Sequence, residues 1–173
     1  LPKLEVPEDV RVVSLASLFR APLDQKETVI RLVRTAKEAG AVVCADTKIP
    51  TFRQLALSDL EEILPMIDYL FPNEKEAEYL TGKKDYMEMA EALCRRGIQN
   101  VVVKTGREGC TACGKAQRFH MPARKVEAVD STGAGDSFVA GFISGILAGD
   151  SLEGCCSRGI RCAGDCLQRM GAV

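Results

Sequence analysis

The feature that most narrows the fold is an alternation. Short apolar runs at Val10–Leu18 (VRVVSLASL), Ala41–Ala45 (AVVCA), Tyr69–Phe71 and Gln99–Thr105 (QNVVVKT) are separated by stretches of helical period. Such runs suit strands covered on both faces, and strands alternating with helices imply a mostly parallel sheet with helices on both faces. Asp24 is expected to cap a helix over Gln25–Ala39, with Val29, Leu32, Val33 and Ala36 on its apolar side, and Gly40 to stop it. After a loop over Thr47–Leu57, Ser58–Met66 reads as a helix capped by Ser58, with Glu61 and Glu62 complementing its dipole. Helices are expected over Glu74–Leu80 and Asp85–Arg96 as well.

Beyond Thr105 the period changes. Gly109–Cys113 and Ala116–Met121 read as a hairpin around Gly114-Lys115. Ala134–Ala148 is a helix with small residues (Ala140, Gly141, Ser144, Gly145, Ala148) on one side, and Leu152–Met170 is the last helix. In parallel sheets ligands gather at the carboxyl ends of the strands. Asp46, Asn73, Thr105-Gly106 and the Asp130–Asp136 loop are therefore expected to converge on one edge.

Composition removes whole classes of partner. A net charge of −1 over 173 residues gives no electrostatic reason to bind nucleic acid or an anionic membrane. No apolar run is long enough to cross a bilayer, and no basic-then-apolar leader is visible, so the expectation is a cytoplasmic protein. The eight cysteines fall mostly within apolar or helical patterns and read as reduced, small hydrophobes. A zinc site at Cys110-x-x-Cys113 wants a second pair or a nearby histidine; His120 is the only histidine, and Cys162 and Cys166 could in principle join, but core packing is the expected reading. Gly109–Lys115 has the glycine and lysine spacing of a P-loop, but Ala116 stands where Ser or Thr is needed.

The chemistry concentrates in Asp130-Ser-Thr-Gly-Ala-Gly-Asp136. Gly133-Ala134-Gly135 opens a helix whose first N–H groups have no internal partners, and these point at a common spot that the dipole makes positive. A phosphoryl group in transfer suits that spot. Asp136, in the first turn, can take the proton of an attacking hydroxyl. The same position also suits a carboxylate that merely favours the dipole.

The stretch Asp130–Ile143 (DSTGAGDSFVAGFI) resembles the C-terminal signature of the ribokinase (PfkB) family of carbohydrate kinases. The resemblance implies an α/β, ribokinase-like three-layer fold. It also implies ATP-dependent phosphoryl transfer to a hydroxyl of a sugar or sugar-like molecule, with Asp136 as general base and the amides of Gly133, Ala134 and Gly135 as the anion hole. Asn73-Glu74-Lys75-Glu76 fits the family's Asn-x-x-Glu motif, which implies Asn73 near the phosphates and Glu76 organising Mg2+ through water; the same residues also make a capping box. Thr105–Gly109 resembles the nucleotide loop, implying ATP contacts from Thr105, Gly106 and Gly109. Asp46 matches a position near the triphosphate, where Lys48 could add a contact. Asp130 and Thr132, with carbonyls near Cys166–Gly171, imply a K+-like ion. Ile160 stands where some relatives carry Asn or His near the adenine, so it would pack on a purine without hydrogen-bonding it.

Family members are longer. The resemblance therefore reads residues 1–173 as the C-terminal ATP-binding and catalytic portion, with the N-terminal half, its sugar-binding Gly-Gly segment and its β-sheet lid expected to be missing. Such a portion is expected to be inactive or unstable alone, with a homodimer as the candidate assembly. A nucleoside or vitamin kinase of the same fold, or a non-catalytic nucleotide-binding fragment, are the alternatives.

Overall fold

The computed structural model describes residues 6–7, 9–50 and 55–171; residues 51–54 of the expected Thr47–Leu57 loop, and the ends of the 1–173 span, lie outside the described residues. Six strands form a sheet in the order β1 (Val12–Leu18), β2 (Val42–Thr47), β3 (Tyr69–Phe71), β4 (Asn100–Lys104), β5 (Cys110–Gly114) and β6 (Arg118–Met121). The first four are parallel, with Val12 opposite Val42, Cys44 opposite Tyr69 and Tyr69 opposite Asn100. Parallel neighbours need crossovers. These are supplied by α1 (Lys26–Glu38) between β1 and β2, and by α2 (Glu74–Thr81) and α3 (Tyr86–Cys94) between β3 and β4. Two longer helices, α4 (Ala134–Ala148) and α5 (Leu152–Leu167), complete the chain. No helix among the described residues is long and apolar enough to cross a membrane.

The chain divides into two compact units, Leu1–Val103 with Ala112–Arg118 and Lys104–Thr111 with Phe119–Val173. In the first, Leu15, Leu18, Val43, Ala45, Leu70, Val101 and Val103 of the strands bury against Val29, Val33 and Ala36 of α1 and against Leu60, Ile63, Leu64 and Ile67. Each Val, Leu or Ile side chain among them contributes about 1.5–3 kcal/mol on leaving water, before the entropy of ordering it. In the second, α4 and α5 meet through glycines. A Cβ on Gly141 would lie 2.7 Å from both Arg158 O and Cys162 Sγ, and one on Gly145 would lie 2.9 Å from Cys155 Cα. The small-residue face of α4 is thus what lets the two backbones approach.

Several local expectations give way to other forces. Asp24 does not occupy the cap of α1; Gln25 does, without a side-chain bond, and the helix is held by its buried stripe of Thr28, Val29, Val33 and Ala36. Ser58–Met66 is not one helix but two short 3-10 turns, Leu57–Leu60 and Leu64–Met66. Pro65 has no N–H to donate to the carbonyl four residues back, so the run cannot continue as one α-helix and Pro65 instead opens the second short turn. The first turn is closed by Asp59 accepting from Ala56 N–H at 2.8 Å rather than by Ser58. Glu61 and Glu62 pair with Arg96 and Arg34 instead of a helix dipole. The second hairpin strand begins at Arg118, because Gly114 N–H donates to Gln117 O at 2.9 Å and widens the turn. Helix α5 stops at Leu167, three residues before the expected Met170, where Arg169 N–H donates to Cys166 O at 3.1 Å.

All eight cysteines are free thiols. Burial, then hydrogen bonding to Cys113, pushes the Cys94 thiol up to about 12. A hydrogen bond with Cys110, then burial, pushes the Cys156 thiol up.

Candidate active site

In the first unit the site residues hang on the ends of β2 and β3. Register pairing sets Asp46 opposite Phe71, so the chain leaving β3 through Pro72 delivers Asn73 beside the end of β2. Asn73 caps α2: its Oδ1 accepts from Glu76 N–H at 2.9 Å, while Glu76 Oε2 accepts from Asn73 N–H at 2.8 Å. This reciprocal box satisfies two donors that a helix start leaves orphaned. The same Oε2 also accepts from the Thr47 hydroxyl at 3.0 Å. Glu76 is only 4% exposed and Thr47 is fully buried, so this bond fastens the start of α2 to the end of β2. Asp46 is buried as well and meets Lys48 Nζ at 3.0 Å. Asp46, Lys48, Asn73 and Glu76 are therefore brought together, through Thr47.

In the second unit, the segment after β4 forms a tight 3-10 turn. Gly109 N–H donates to Gly106 O at 3.1 Å, and Thr105 N–H donates to Gly109 O at 2.9 Å. Gly109 has φ +107, and a Cβ there would lie 2.0 Å from Met121 O, so no other residue fits. Gly106, at φ +55, faces open space. Thr105 is 3% exposed and its Oγ1 has no hydrogen-bond partner. A buried hydroxyl without a partner is rare and costly, and it suits an incoming acceptor such as a phosphate or ribose oxygen.

The Asp130–Asp136 loop is pinned before it reaches α4. Asp130 Oδ1 accepts from Thr132 N–H at 2.9 Å and from the Thr132 hydroxyl at 2.8 Å, and Oδ2 accepts from Gly171 N–H at 3.0 Å. Bonds from the Thr132 backbone, the Thr132 hydroxyl and the Gly171 backbone hold this carboxyl below its ordinary range. Gly133 is the cap residue of α4, left-handed at φ +78, and no side chain caps the helix. Asp136 lies in the first turn and is exposed. Ile160 is half-buried on α5. Asp130, Thr132 and the Cys166–Gly171 segment are thus joined directly, and Cys166 Sγ donates to Thr132 O at 3.5 Å.

One residue was missed at the sequence level. Lys104, the last residue of β4, places Nζ 3.6 Å from where a Gly135 Cβ would stand. It thereby brings the nucleotide-loop candidate and the helix start together. The signal was present: a lysine closing an otherwise apolar strand, immediately before Thr105-Gly106.

The chain matches the description "pfkB family carbohydrate kinase" over residues 3–173. It is 36% identical over 174 residues to cytidine kinase of Thermococcus kodakarensis, covering 98% of this chain and 60% of that protein. Among solved structures it is similar to ribokinase of Thermotoga maritima, with a TM-score of 0.75 and 32% identity, over 94% of this chain and 52% of that one. A ribokinase II candidate of Escherichia coli, solved in complex with ATP and Mg2+, aligns with a TM-score of 0.74 and 25% identity over 92% of this chain and 53% of its own. The chain spans about half the length of the curated relatives it matches.

Proposed function

The chain belongs to the pfkB family of carbohydrate kinases, and from that premise we propose that residues 1–173 are the C-terminal ATP-binding and catalytic portion of a kinase. The reaction is transfer of the γ-phosphoryl group of ATP to a hydroxyl of a sugar or sugar-like small molecule. The observation that carries this reading is the start of α4, where Gly133 turns the chain at φ +78, no side chain caps the amides, and Asp136 stands exposed beside them. The amides of Gly133, Ala134 and Gly135 hold charge as it builds on the transferring group, Ala134 N–H giving up its 3.3 Å bond to Ser131 O for the incoming oxygen. Asp136 takes the proton of the attacking hydroxyl. Lys104, beside Gly135, adds positive charge at the same helix start.

The unpaired Thr105 hydroxyl and the open face of Gly106 suit nucleotide binding, with Gly109 fixing the turn that presents them and Ile160 packing on the base. Magnesium, when bound, supplies charge neutralisation to the triphosphate. Glu76 fits it through water: Oε2 already serves Asn73 and Thr47, and a carboxylate has further lone pairs to offer a hydrated ion. Asn73, in the same box, positions magnesium and phosphate, and Asp46, at the end of β2, is a triphosphate contact. Asp130 and Thr132 would border a K+ ion with carbonyls of the Cys166–Gly171 segment. The free thiols suit the cytoplasm.

The test is ADP formation by the full-length gene product, with ATP and Mg2+, across sugars, sugar acids and nucleosides. Asp136→Ala is expected to abolish turnover while ATP still binds. Full activity in that variant overturns the assignment of the base, and ATP binding without turnover on any acceptor leaves a non-catalytic nucleotide binder. A nucleoside acceptor is the second reading, favoured by the likeness to cytidine kinase, and the same panel separates it.

A further inference from the structure

At the carboxyl end of β1, one guanidinium lacks what burial normally demands. The Nε of Arg20 is buried and has no hydrogen-bond partner. Buried polar hydrogens are nearly always paired, and leaving one on a charged group unpaired is the costliest case. The backbone around it is also unusual. Ser17 at φ +67 and Phe19 at φ +75 are non-glycine residues in left-handed conformation. Phe19 is 1% exposed, so packing fixes the turn, and Phe19 N–H donates to Leu23 O while Arg20 N–H donates to Ser17 O, each at 3.0 Å. Lys48 N–H donates to Leu18 O at 2.9 Å, which ties the turn to the end of β2. Strain of this kind persists where the surroundings over-determine it, and it collects at ligand sites. The backbone of Arg20 is therefore fixed just past the end of β1, and parallel sheets bind ligands at strand ends.

We propose that Arg20 recognises an oxyanion, a carboxylate or a phosphate, carried by the acceptor molecule. The acceptor class is then an anionic sugar derivative rather than a neutral sugar. This rests on the kinase reading only in giving the oxyanion to an acceptor. Nε and one Nη of a guanidinium form a side-on fork that matches two oxygens of a carboxylate or phosphate, which an ammonium cannot do. Lys48 Nζ lies 3.0 Å from Asp46 Oδ2 at the end of β2, and the carboxylate nearest Arg20 in the chain is Asp24, whose Oδ1 is buried and accepts no hydrogen bond from Arg20 Nε.

The test uses the full-length gene product as wild type, Arg20→Gln and Arg20→Lys. Calorimetric binding is measured for gluconate against glucose and for fructose 6-phosphate against fructose, with a non-hydrolysable ATP analogue present. Turnover with each compound is followed by ADP formation. One anionic member is expected to bind at least tenfold more tightly than its neutral partner, and the arm that shows it identifies the oxyanion. Arg20→Gln should erase that preference, Arg20→Lys should restore only part of it, and the KM for ATP should stay within twofold. Equal binding of neutral and anionic members, or a preference that survives in Arg20→Gln, overturns the proposal. A raised KM for ATP in Arg20→Gln also overturns it, by giving the oxyanion to the nucleotide. An Arg20-dependent anion preference without ADP formation would sustain the Arg20 site and sink the kinase reading instead. Should Arg20→Gln fail to fold, Arg20→Lys decides: it keeps the charge but not the fork, and an undiminished preference there is an overturning result.

Discussion

Glu76 and Asp136 both sit in the first turn of a helix, and the two turns treat them differently. Glu76 is buried, and one of its oxygens serves Asn73 N–H and the Thr47 hydroxyl. Asp136 is exposed at a helix start that no side chain caps. A carboxylate committed to hydrogen bonds stabilises a fold, whereas one left exposed at a helix start without a side-chain cap remains available to a reactant. Position in the helix does not separate the two; the neighbours do.

The largest effect should break that contrast on the catalytic side. Asp136→Asn is expected to lower kcat by roughly 10²–10⁴-fold, the usual worth of a general base, with an unchanged melting temperature. A variant that melts early instead would make Asp136 a second Glu76. Next, Gly109→Ala places a methyl group against Met121 O in a backbone that resists it, and should cost about 3 kcal/mol or more in urea unfolding. The mirror-image change, Gly106→Ala, meets open space and should cost less than its neighbour, which a paired unfolding series would read directly.

Glu76 sharpens the comparison further. Glu76→Ala leaves Asn73 N–H and the Thr47 hydroxyl without their acceptor, and should lose about 1–3 kcal/mol of stability. Glu76→Gln can keep the box, because glutamine also serves at that position. Near-normal stability with a raised Mg2+ requirement would give Glu76 a role in metal binding beyond folding; an unchanged requirement would confine it to the cap. The smallest effect concerns Asp130, whose folded carboxyl is held below its unfolded value by Thr132 and Gly171. Its contribution is therefore present above the unfolded value and lost as pH falls through the lowered one. The gap in urea midpoint between wild type and Asp130→Asn should shrink from pH 7 towards pH 3.

Much of this was legible in the chain. The apolar runs located β1 to β4 because buried parallel strands need little else, and α4 starts and stops at the expected residues because Gly133 and Gly149 are both left-handed at its ends. The Asn73 box was readable because its chemistry is local. What escaped depends on packing. Pro65 broke an expected helix whose remaining apolar residues were still buried in two short turns. Gln25 displaced Asp24 at a cap because the buried stripe of α1 set where the helix begins. The unpaired Thr105 hydroxyl and Arg20 Nε could not be foreseen, since a missing partner is a property of the surroundings and not of the residue.

The thiols carry one more consequence. With the Cys94 thiol pushed up to about 12 by burial, little thiolate stands there at neutral pH, and alkylating reagents attack the thiolate. Cys156 is disfavoured in the same direction by Cys110 and by burial. Modification of buried Cys156 should wait for the protein to open, while half-buried Cys94 should react slowly without opening. Timed alkylation of Cys156 then becomes a clock for local unfolding at α5, running in the native protein without denaturant, with Cys94 as the reference for a thiol that needs no opening.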